Sequence, residues 1–476
     1  MSQLKLVNRQ AELRFLQDQY SREQSGFLVI SGRRRVGKTT LLISFIEGKP
    51  GIYFLASQEG DLQNIRALAR LMGQYLKDPL FERGRFTGWP DLFSAFVHHT
   101  GFADSTDTKK VVLVIDEFPY LVDHNPAVPS AFQIIWDQIL KDCKVLLILS
   151  GSSISTMETA VLGYASPLYG RRTGQWQVEP LPFEEISHFL PYPAEELVMT
   201  WCVLGGIPGY LNKFDPARSF RQNVLEQVLN KGAYLYNEAD LLMNYEFREP
   251  ANYLVIFRAI AGGCMTLSRI CSETGLDKSM VSKYLNVLVR LHILHEEVPV
   301  TAHTGFRKRN YRITDPYLHF WFRFVAPNRI DIEAQRDDAV MHRVMEGLPA
   351  YCGSMFEVLV QDLIRRGRIL GDRHFTRIGR WWYKEAEIDC VALDDESHSI
   401  VFCECKWQDL SYREAREVLE DLRTKAQDVR WHNGDRKEEY CLVARKIAGK
   451  DRLKSDGFLT CDLKDLVTLP KKNLTQ

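Results

Sequence analysis

Three groups of residues in this chain have the types and spacing to do chemistry. The first is Gly32-x4-Gly37-Lys38-Thr39 within LVISGRRRVGKTTLL, directly after a strand-like apolar run and directly before a helical pattern. Glycines let backbone N–H groups turn inward around an anion. A lysine can neutralise the terminal phosphates of a nucleotide, and a threonine hydroxyl at a helix N-terminus suits Mg2+. The loop residues implicated are Gly32, Arg33, Arg34, Arg35, Val36, Gly37, Lys38, Thr39 and Thr40. Further on, VVLVIDE ends in Asp116-Glu117. An Asp at the carboxyl end of such a strand can hold the Mg2+ shell, and the adjacent Glu can polarise an attacking water. The second acid favours ATP over GTP. In LLILSGSS, Ser150 or Ser152 could sense the γ-phosphate or simply cap a turn. Arg171 and Arg172, before QWQVEPL, could stabilise transition-state charge within the chain or across a subunit boundary, or could serve only in surface pairing.

The second group is basic. In TLSRICSETGLDKSMVSKYLNVLVRLHIL (266–294) a helix, a turn at Gly275 and a second helix are legible, with Asp277 at the N-cap position. Met280, Val281, Tyr284, Leu285, Val287, Leu288 and Leu291 form the stripe expected to pack. Lys278, Ser279, Ser282 and Lys283 remain at the exposed start, where a recognition helix meets a DNA groove. Arg307, Lys308, Arg309 and Arg312 follow on an expected hairpin and suit phosphate contacts.

The third group is acidic. SIVFCECKW (399–407) sets Glu404 and Lys406 on one strand face, with Cys403 and Cys405 on the other. Asp389 stands between Ile388 and Cys390 on the preceding strand, and an acid on an apolar strand needs a partner or a metal. Pairing through the turn DDESH brings Asp389 near Glu404. Asp389, Glu404 and the Cys405 carbonyl could ligate Mg2+ or Mn2+, with Glu357, from GSMFEVLVQDLI, holding a second ion or a metal-bound water. Lys406 would orient or deprotonate the attacking water. Trp381, Trp382 and Tyr383 could stack on bases but fit core and rim packing better.

The elements that must position these groups follow from patterning. FLVIS (27–31), GIYFLA (51–56), VVLVID (111–116) and VLLILS (145–150) are continuous apolar runs separated by helical patterns, with QWQVEPL (175–181) as a weaker fifth. That alternation predicts a parallel sheet covered on both faces. Residues 182–250 are mainly helical around GGIPGY (205–210). At 476 residues the chain needs about three domains. Sixty-one basic and 61 acidic side chains cancel, so any nucleic-acid binding must come from local patches. Ten Cys without zinc spacing indicate neither a disulfide framework nor a zinc site. MSQLKLVNRQAELRFL is amphipathic rather than secretory, and no apolar run is long enough to span a bilayer. A cytoplasmic location without membrane contact is expected.

Taken in order, VNRQAELRFL, GRRRVGKTTLL, VLVIDEFPYL, LILSGSSISTM, YGRR and GGIPGYL resemble the STAND-type P-loop ATPases, in particular the archaeal-type group, over about residues 4–325. The resemblance implies ATP-dependent switching or assembly, often as a homo-oligomer, and a winged helix that can also clamp the nucleotide domain. Glu357, Asp389 and Glu404-x-Lys406, followed by a helix at 411–428, resemble the PD-(D/E)xK restriction-endonuclease-like nucleases over about 350–465. Ile388 replaces the Pro usual before the first Asp. The expected fold class is therefore α/β: a P-loop NTPase parallel sheet (1–180), a helical lid (181–250) and a winged-helix domain (251–326). A linker (327–349) then leads to a C-terminal α/β restriction-endonuclease-like domain (350–470). The expected function is ATP-controlled, metal-dependent cleavage of DNA. The alternative is an ATP switch whose nuclease-like domain only binds nucleic acid or protein partners.

Overall fold

The computed structural model describes residues 6–106, 109–247, 249–303, 305–371 and 373–468. The first five residues of the amphipathic N-terminal segment lie outside them. The chain forms two compact units, one of residues 1–181 with 207–209, the other of 182–206 with 210–476.

In the first unit β1 (Gly26–Ser31), β2 (Gly51–Leu55), β3 (Val111–Asp116), β4 (Val145–Gly151) and β5 (Gly174–Gln177) form one sheet in the order β2-β3-β4-β1-β5. Every pairing is parallel. The apolar runs match these strands because side chains on both faces are buried. Phe27, Val29, Leu113 and Leu147 pack on one face with Leu68, Phe93 and Phe132. Leu28, Ile30, Val112 and Ile148 pack on the other with Leu16, Leu41 and Phe45. A strand apolar at every position can only sit between two layers. The order places β4 between β3 and β1, so the carboxyl ends carrying Asp116, Ser152 and the glycine loop are neighbours.

In the second unit, helices Ala194–Leu204, Phe220–Gln227 and Tyr234–Glu246 fall within 182–250. Helices Ala251–Ala261, Leu267–Thr274 and Lys278–Arg290 follow, then an antiparallel hairpin of β6 (Leu294–Glu297) and β7 (Asn310–Ile313). Gly275, at φ +69°, ends the middle helix in the left-handed conformation that glycine tolerates. Asp277 occupies the next N-cap position, but its side chain makes no capping bond.

The expected linker at 327–349 needs correction. A helix from Asp337 to Arg365 starts inside it and runs on through Glu357. Pro349 reads as a breaker in sequence, yet it removes one hydrogen bond while Val340, Val344, Leu348, Tyr351, Met355 and Leu359 stay buried on one stripe. Tertiary burial therefore outweighs the local cost. The segments flanking that supposed linker are parts of one compact unit.

The second sheet is ordered β12-β11-β10-β9-β8, built from β8 (Arg377–Tyr383), β9 (Ala386–Asp394), β10 (Ser399–Leu410), β11 (Lys437–Ile447) and β12 (Leu459–Asp462). β8, β9 and β10 run antiparallel, whereas β10, β11 and β12 are parallel. Helix Tyr412–Ala426 starts with a reciprocal Ser411/Glu414 cap and packs Leu419 and Leu422 on Val391, Ile400, Phe402 and Leu442. Trp381 belongs to that core, Trp382 is half-buried and Tyr383 is exposed, which favours packing over stacking. No helix among the described residues is long and apolar enough to cross a membrane.

Candidate functional site

The glycine loop turns sharply between β1 and helix Lys38–Ile46. Gly32 has φ +147° and Gly37 φ +98°. A Cβ on Gly32 would lie 2.5 Å from the Val178 carbonyl oxygen, so only glycine lets the loop pass β5's continuation. Lys38 is buried and folds back, its Nζ donating to the Gly32 and Arg33 carbonyls at 2.8 and 3.0 Å. Arg34 donates to the Tyr120 hydroxyl at 2.7 Å. Arg35, at φ +68°, offers its carbonyl to Gly209 N–H at 3.1 Å.

Asp116 sits fully buried at the end of β3. Its Oδ2 accepts from Thr39 Oγ1 at 2.8 Å and from the Tyr53 hydroxyl at 2.5 Å, and its Oδ1 from Glu117 N at 3.0 Å. Burial and the Asp116 charge push the Tyr53 phenol well above its ordinary value, which keeps it a donor. Glu117 caps helix Phe118–His124 at φ +54°, a conformation uncommon for a side-chain-bearing residue. Its Oε2 accepts from Ser152 Oγ at 2.7 Å. Ser150 is fully buried, and its hydroxyl has no hydrogen-bond partner among the described residues. Ser152 is thus the hydroxyl that meets the acids.

Arg171 and Arg172 are a correction. Thr173 N bonds Phe27 O at 2.7 Å and Gly174 pairs with Leu28, so both arginines precede the amino end of β5. Because β5 runs parallel to β1, they lie at the end of the sheet opposite the glycine loop, about 20 Å away along the strand. Arg171 pairs with Asp137 at 2.8 Å, and Arg172 donates to the Leu162 carbonyl at 3.4 Å. Neither reaches the loop within this chain.

Sequence reasoning missed Tyr53, Arg9 and Gly209. Buried Arg9 donates to Val36 O at 2.8 Å and to Glu179 O at 2.9 Å, fastening the loop to the chain beyond β5. Arg9 lies in the quoted segment VNRQAEL, so its position was visible but its contacts were not. Tyr53 stands on a strand with no chemical signature.

In the second unit Asp389 and Glu404 come together around Lys406. The register Cys390–Cys403 sets Asp389 beside Glu404. Lys406 Nζ lies 2.9 Å from Glu404 Oε1 and 3.9 Å from Asp389 Oδ2. Lys425, which sequence reasoning did not single out, reaches Glu404 Oε1 at 3.3 Å. Glu404 Oε2 is buried without a hydrogen-bond partner among the described residues. Cys405 meets Asp389 through its N–H, at 2.9 Å. Burial and then Glu404 push the Asp389 carboxyl up. Burial opposes the Lys406 charge, but Glu404 and Asp389 outweigh it and raise its value.

Glu357 does not complete a three-acid cluster. Arg380 Nη2 lies 3.4 Å from it, and burial followed by the Asp389 charge pushes its carboxyl up to about 7. Among the described residues no group of three or more His, Cys, Asp and Glu is gathered to hold a metal ion. No third such side chain joins Asp389 and Glu404 among the described residues, and Glu357, expected to hold a second ion or a metal-bound water, is paired with Arg380. Cationic Lys406 and Arg380 take the compensating role instead.

Lys278, Ser279 and Lys283 are exposed at the start of their helix and Ser282 is half-buried, while Val281, Leu285 and Leu288 are buried beneath. Met280, expected in the packed stripe, is exposed instead. On the hairpin Arg307, Lys308 and Arg309 are exposed, with Arg309 paired to Glu296. Arg312, expected among the phosphate contacts, turns inward to Glu297 at 3.3 Å.

A five-stranded parallel sheet with a glycine-lysine-threonine loop at β1 and paired acids at β3 defines a P-loop ATPase domain. Residues 6–214 match a family described as an ATPase domain predominantly from Archaea, and 321–418 match one described as archaeal and bacterial proteins of unknown function. An uncharacterized protein of Methanocaldococcus jannaschii is 34% identical over 462 residues, 96% of this chain and 99% of that protein. The chain belongs to the family of that relative, with an archaeal-type P-loop ATPase domain at its front. Among solved structures, the Walker-type ATPase of Pyrococcus abyssi is 22% identical with a TM-score of 0.49, covering 67% of this chain and 96% of that one. The Aeropyrum pernix ORC2 protein, solved as ADPNP and ADP complexes, is 17% identical with a TM-score of 0.42, covering 70% and 96%.

Proposed function

We propose that this protein binds and hydrolyses ATP at the glycine loop, and that the nucleotide state controls a metal-dependent nuclease in its C-terminal segment acting on DNA. The convergence of Thr39, Tyr53 and Glu117 N–H on Asp116 carries the first half. Thr39 and Asp116 are hard oxygen donors 2.8 Å apart, which suits Mg2+, an ion that would offset charge on the phosphate oxygens. Lys38 would leave the loop carbonyls for the terminal phosphates. Glu117, steadied by Ser152, would accept the proton of the attacking water.

For the second half, the supporting observation is a buried pair of carboxylates, Asp389 and Glu404, with Lys406 between them. Two acids in low dielectric, one with an orphaned oxygen, are a setting in which a divalent cation is favourable. Lys406 would then orient the water or stabilise the phosphodiester charge. Glu357 would join only if Arg380 released it. The exposed Lys278, Ser279 and Lys283, with Ser282 beside them and Arg307, Lys308 and Arg309 on the hairpin, would contact the DNA backbone. Arg171 or Arg172 would serve ATP only across a boundary between copies of this chain.

A second reading is favoured by the ion pairs themselves. Lys406 and Arg380 already neutralise the acids, so a domain that binds without cutting is self-consistent. Labelled duplex DNA, single-stranded DNA and RNA, each incubated with and without ATP and with Mg2+ or Mn2+, separate the two readings. Metal-dependent cleavage by the native protein that changes with ATP, is lost in Lys406→Ala and no longer responds to ATP in Lys38→Ala is the expected result. Intact substrate under every condition, with ATPase activity stimulated by DNA or a protein partner, would leave the binding reading.

A further inference from the structure

A cavity of about 340 Å3 opens inside the second unit, between the end of helix Ala251–Ala261, β7, residues 319–323, helix Asp337–Arg365 and β8. Guanidiniums enter it from three separate elements: Arg312 on β7, Arg323 in the π-helical segment Trp321–Val325 that continues helix Pro316–Phe320, and Arg380 on β8. Glu357 is the sole carboxylate among the lining residues. Arg312 and Arg380 are nearly enclosed, with side chains 12% and 10% exposed.

Their protein partners are few and distant. Arg312 places Nη2 3.3 Å from Glu297, and Arg380 places Nη2 3.4 Å from both Glu357 and the largely exposed Glu387. Each guanidinium carries five N–H donors, so most donors of both have no protein acceptor among the described residues. Arg323 makes no ion pair there. The local field is positive enough to be felt by its neighbours. Burial lowers Arg312 below its ordinary value against the pull of Glu297, with Arg380 adding to the effect. Burial, Arg312 and Arg323 hold the His319 imidazole down to about 4, neutral at pH 7.

We propose that this cavity binds a small organic phosphate, its phosphomonoester group among Arg312, Arg323 and Arg380 and its organic part against Met265, Tyr311 and Tyr351. Forks arriving from three directions match a tetrahedral oxyanion of up to two charges, whereas a planar carboxylate occupies one fork. The volume falls at the lower end of small-molecule sites, and the mixture of an apolar wall with a few convergent polar groups is what such sites share. The site is separate from the glycine loop, and neither Arg312 nor Arg323 has a part in the ATPase or nuclease assignments. Phosphomonoesters reach a protein either as free metabolites or as the 5′ end of a nucleic acid, and the test separates these sources.

Calorimetric titration of full-length Lys38→Ala protein, with the glycine loop disabled, uses AMP against adenosine and a 5′-phosphorylated decathymidylate against its 5′-hydroxyl form. Saturable binding of a phosphorylated probe at least about tenfold tighter than that of its dephosphorylated counterpart is expected. In Arg312→Gln and Arg323→Gln it should weaken about tenfold or more, the loss of one charge-assisted contact. Arg323 is exposed, so its variant keeps the native melting temperature even if Arg312→Gln does not. Binding of AMP identifies a free metabolite; binding confined to the phosphorylated oligonucleotide identifies a nucleic-acid end. No binding of either phosphorylated probe, equal binding of dephosphorylated ones, or affinity unchanged in Arg323→Gln would overturn the proposal. Cleavage by the Lys406→Ala protein bears on the nuclease reading alone.

Discussion

Asp116 shows how one carboxylate can be fixed from three directions before any ligand arrives. Thr39 and Tyr53 share its Oδ2, and the Glu117 N–H takes Oδ1. Tyr53 donates to Asp116 and acts through it as a positioning residue. Removing its hydroxyl deletes a hydrogen bond to a charged acceptor while leaving the ring and the strand in place. Tyr53→Phe is expected to lower ATPase kcat by about tenfold with KM for ATP within about twofold, since the loss falls on a preorganised charge rather than on nucleotide contact. Steady-state kinetics with saturating Mg2+ measure both, and an unchanged kcat would remove Tyr53 from the mechanism. Lys38 makes a sharper case. Lys38→Ala removes the cation that the loop carbonyls now hold at 2.8 and 3.0 Å, and ATP hydrolysis should fall by about a hundredfold or more. A radiolabelled phosphate-release assay measures this, and near-native turnover would refute the site.

At the level of elements, β1 and β5 continue their pairing into the loop. Val178 N donates to Ser31 O at 2.8 Å, and this brings the Val178 carbonyl against Gly32. Gly32→Ala meets two costs together, a φ of +147° and a Cβ 2.5 Å from a backbone oxygen that cannot swing aside. A destabilisation of more than about 2 kcal/mol is expected for the first unit. It would be seen as an earlier denaturant midpoint in tryptophan fluorescence, and an unchanged midpoint would mean the loop relaxes freely. The apolar strands were legible because a buried parallel strand has no polar face to confuse its period. The linker at 327–349 was misjudged for the converse reason. The buried stripe along Asp337–Arg365, which carries the helix through Pro349, has value only against partners far away in sequence.

For the whole molecule, the buried acids of the second unit tie stability to pH. An acid pushed up on folding binds its proton more tightly in the folded chain than in the unfolded one. The folded state is therefore favoured below the ordinary carboxylate value and loses that advantage as pH rises to about 6 for Asp389 and about 7 for Glu357. The melting temperature should fall between pH 4 and 7 through these groups. Asp389→Asn, which can still accept from Cys405 N–H, should melt higher than the native chain at pH 8 and with a shallower pH slope. Without nucleotide, millimolar Mg2+ should raise the native melting temperature at pH 8 and leave the variant unmoved, because binding to the folded state alone stabilises it. Scanning calorimetry at pH 5 and pH 8 checks both, and equal Mg2+ responses in the two proteins would remove Asp389 from any cation site.

By itself the sequence determined the elements whose signals are local. These are the five strands, the glycine loop and its acids, the helix–turn–helix start of 266–294, and the Glu404–Lys406 pair on one strand face. Each depends on residue type at short spacing, which backbone geometry converts directly into position. Tertiary structure alone decided what meets across the fold. Tyr53 reaches Asp116 from a neighbouring strand, and β5's direction carries Arg171 and Arg172 away from the loop. Arg380 pairs with Glu357 beside the Asp389 charge, and Arg312 turns from the hairpin's surface into a cavity with two other arginines. Those outcomes rest on strand order, register and the balance of buried charge, and such quantities exist only once distant segments pack against one another.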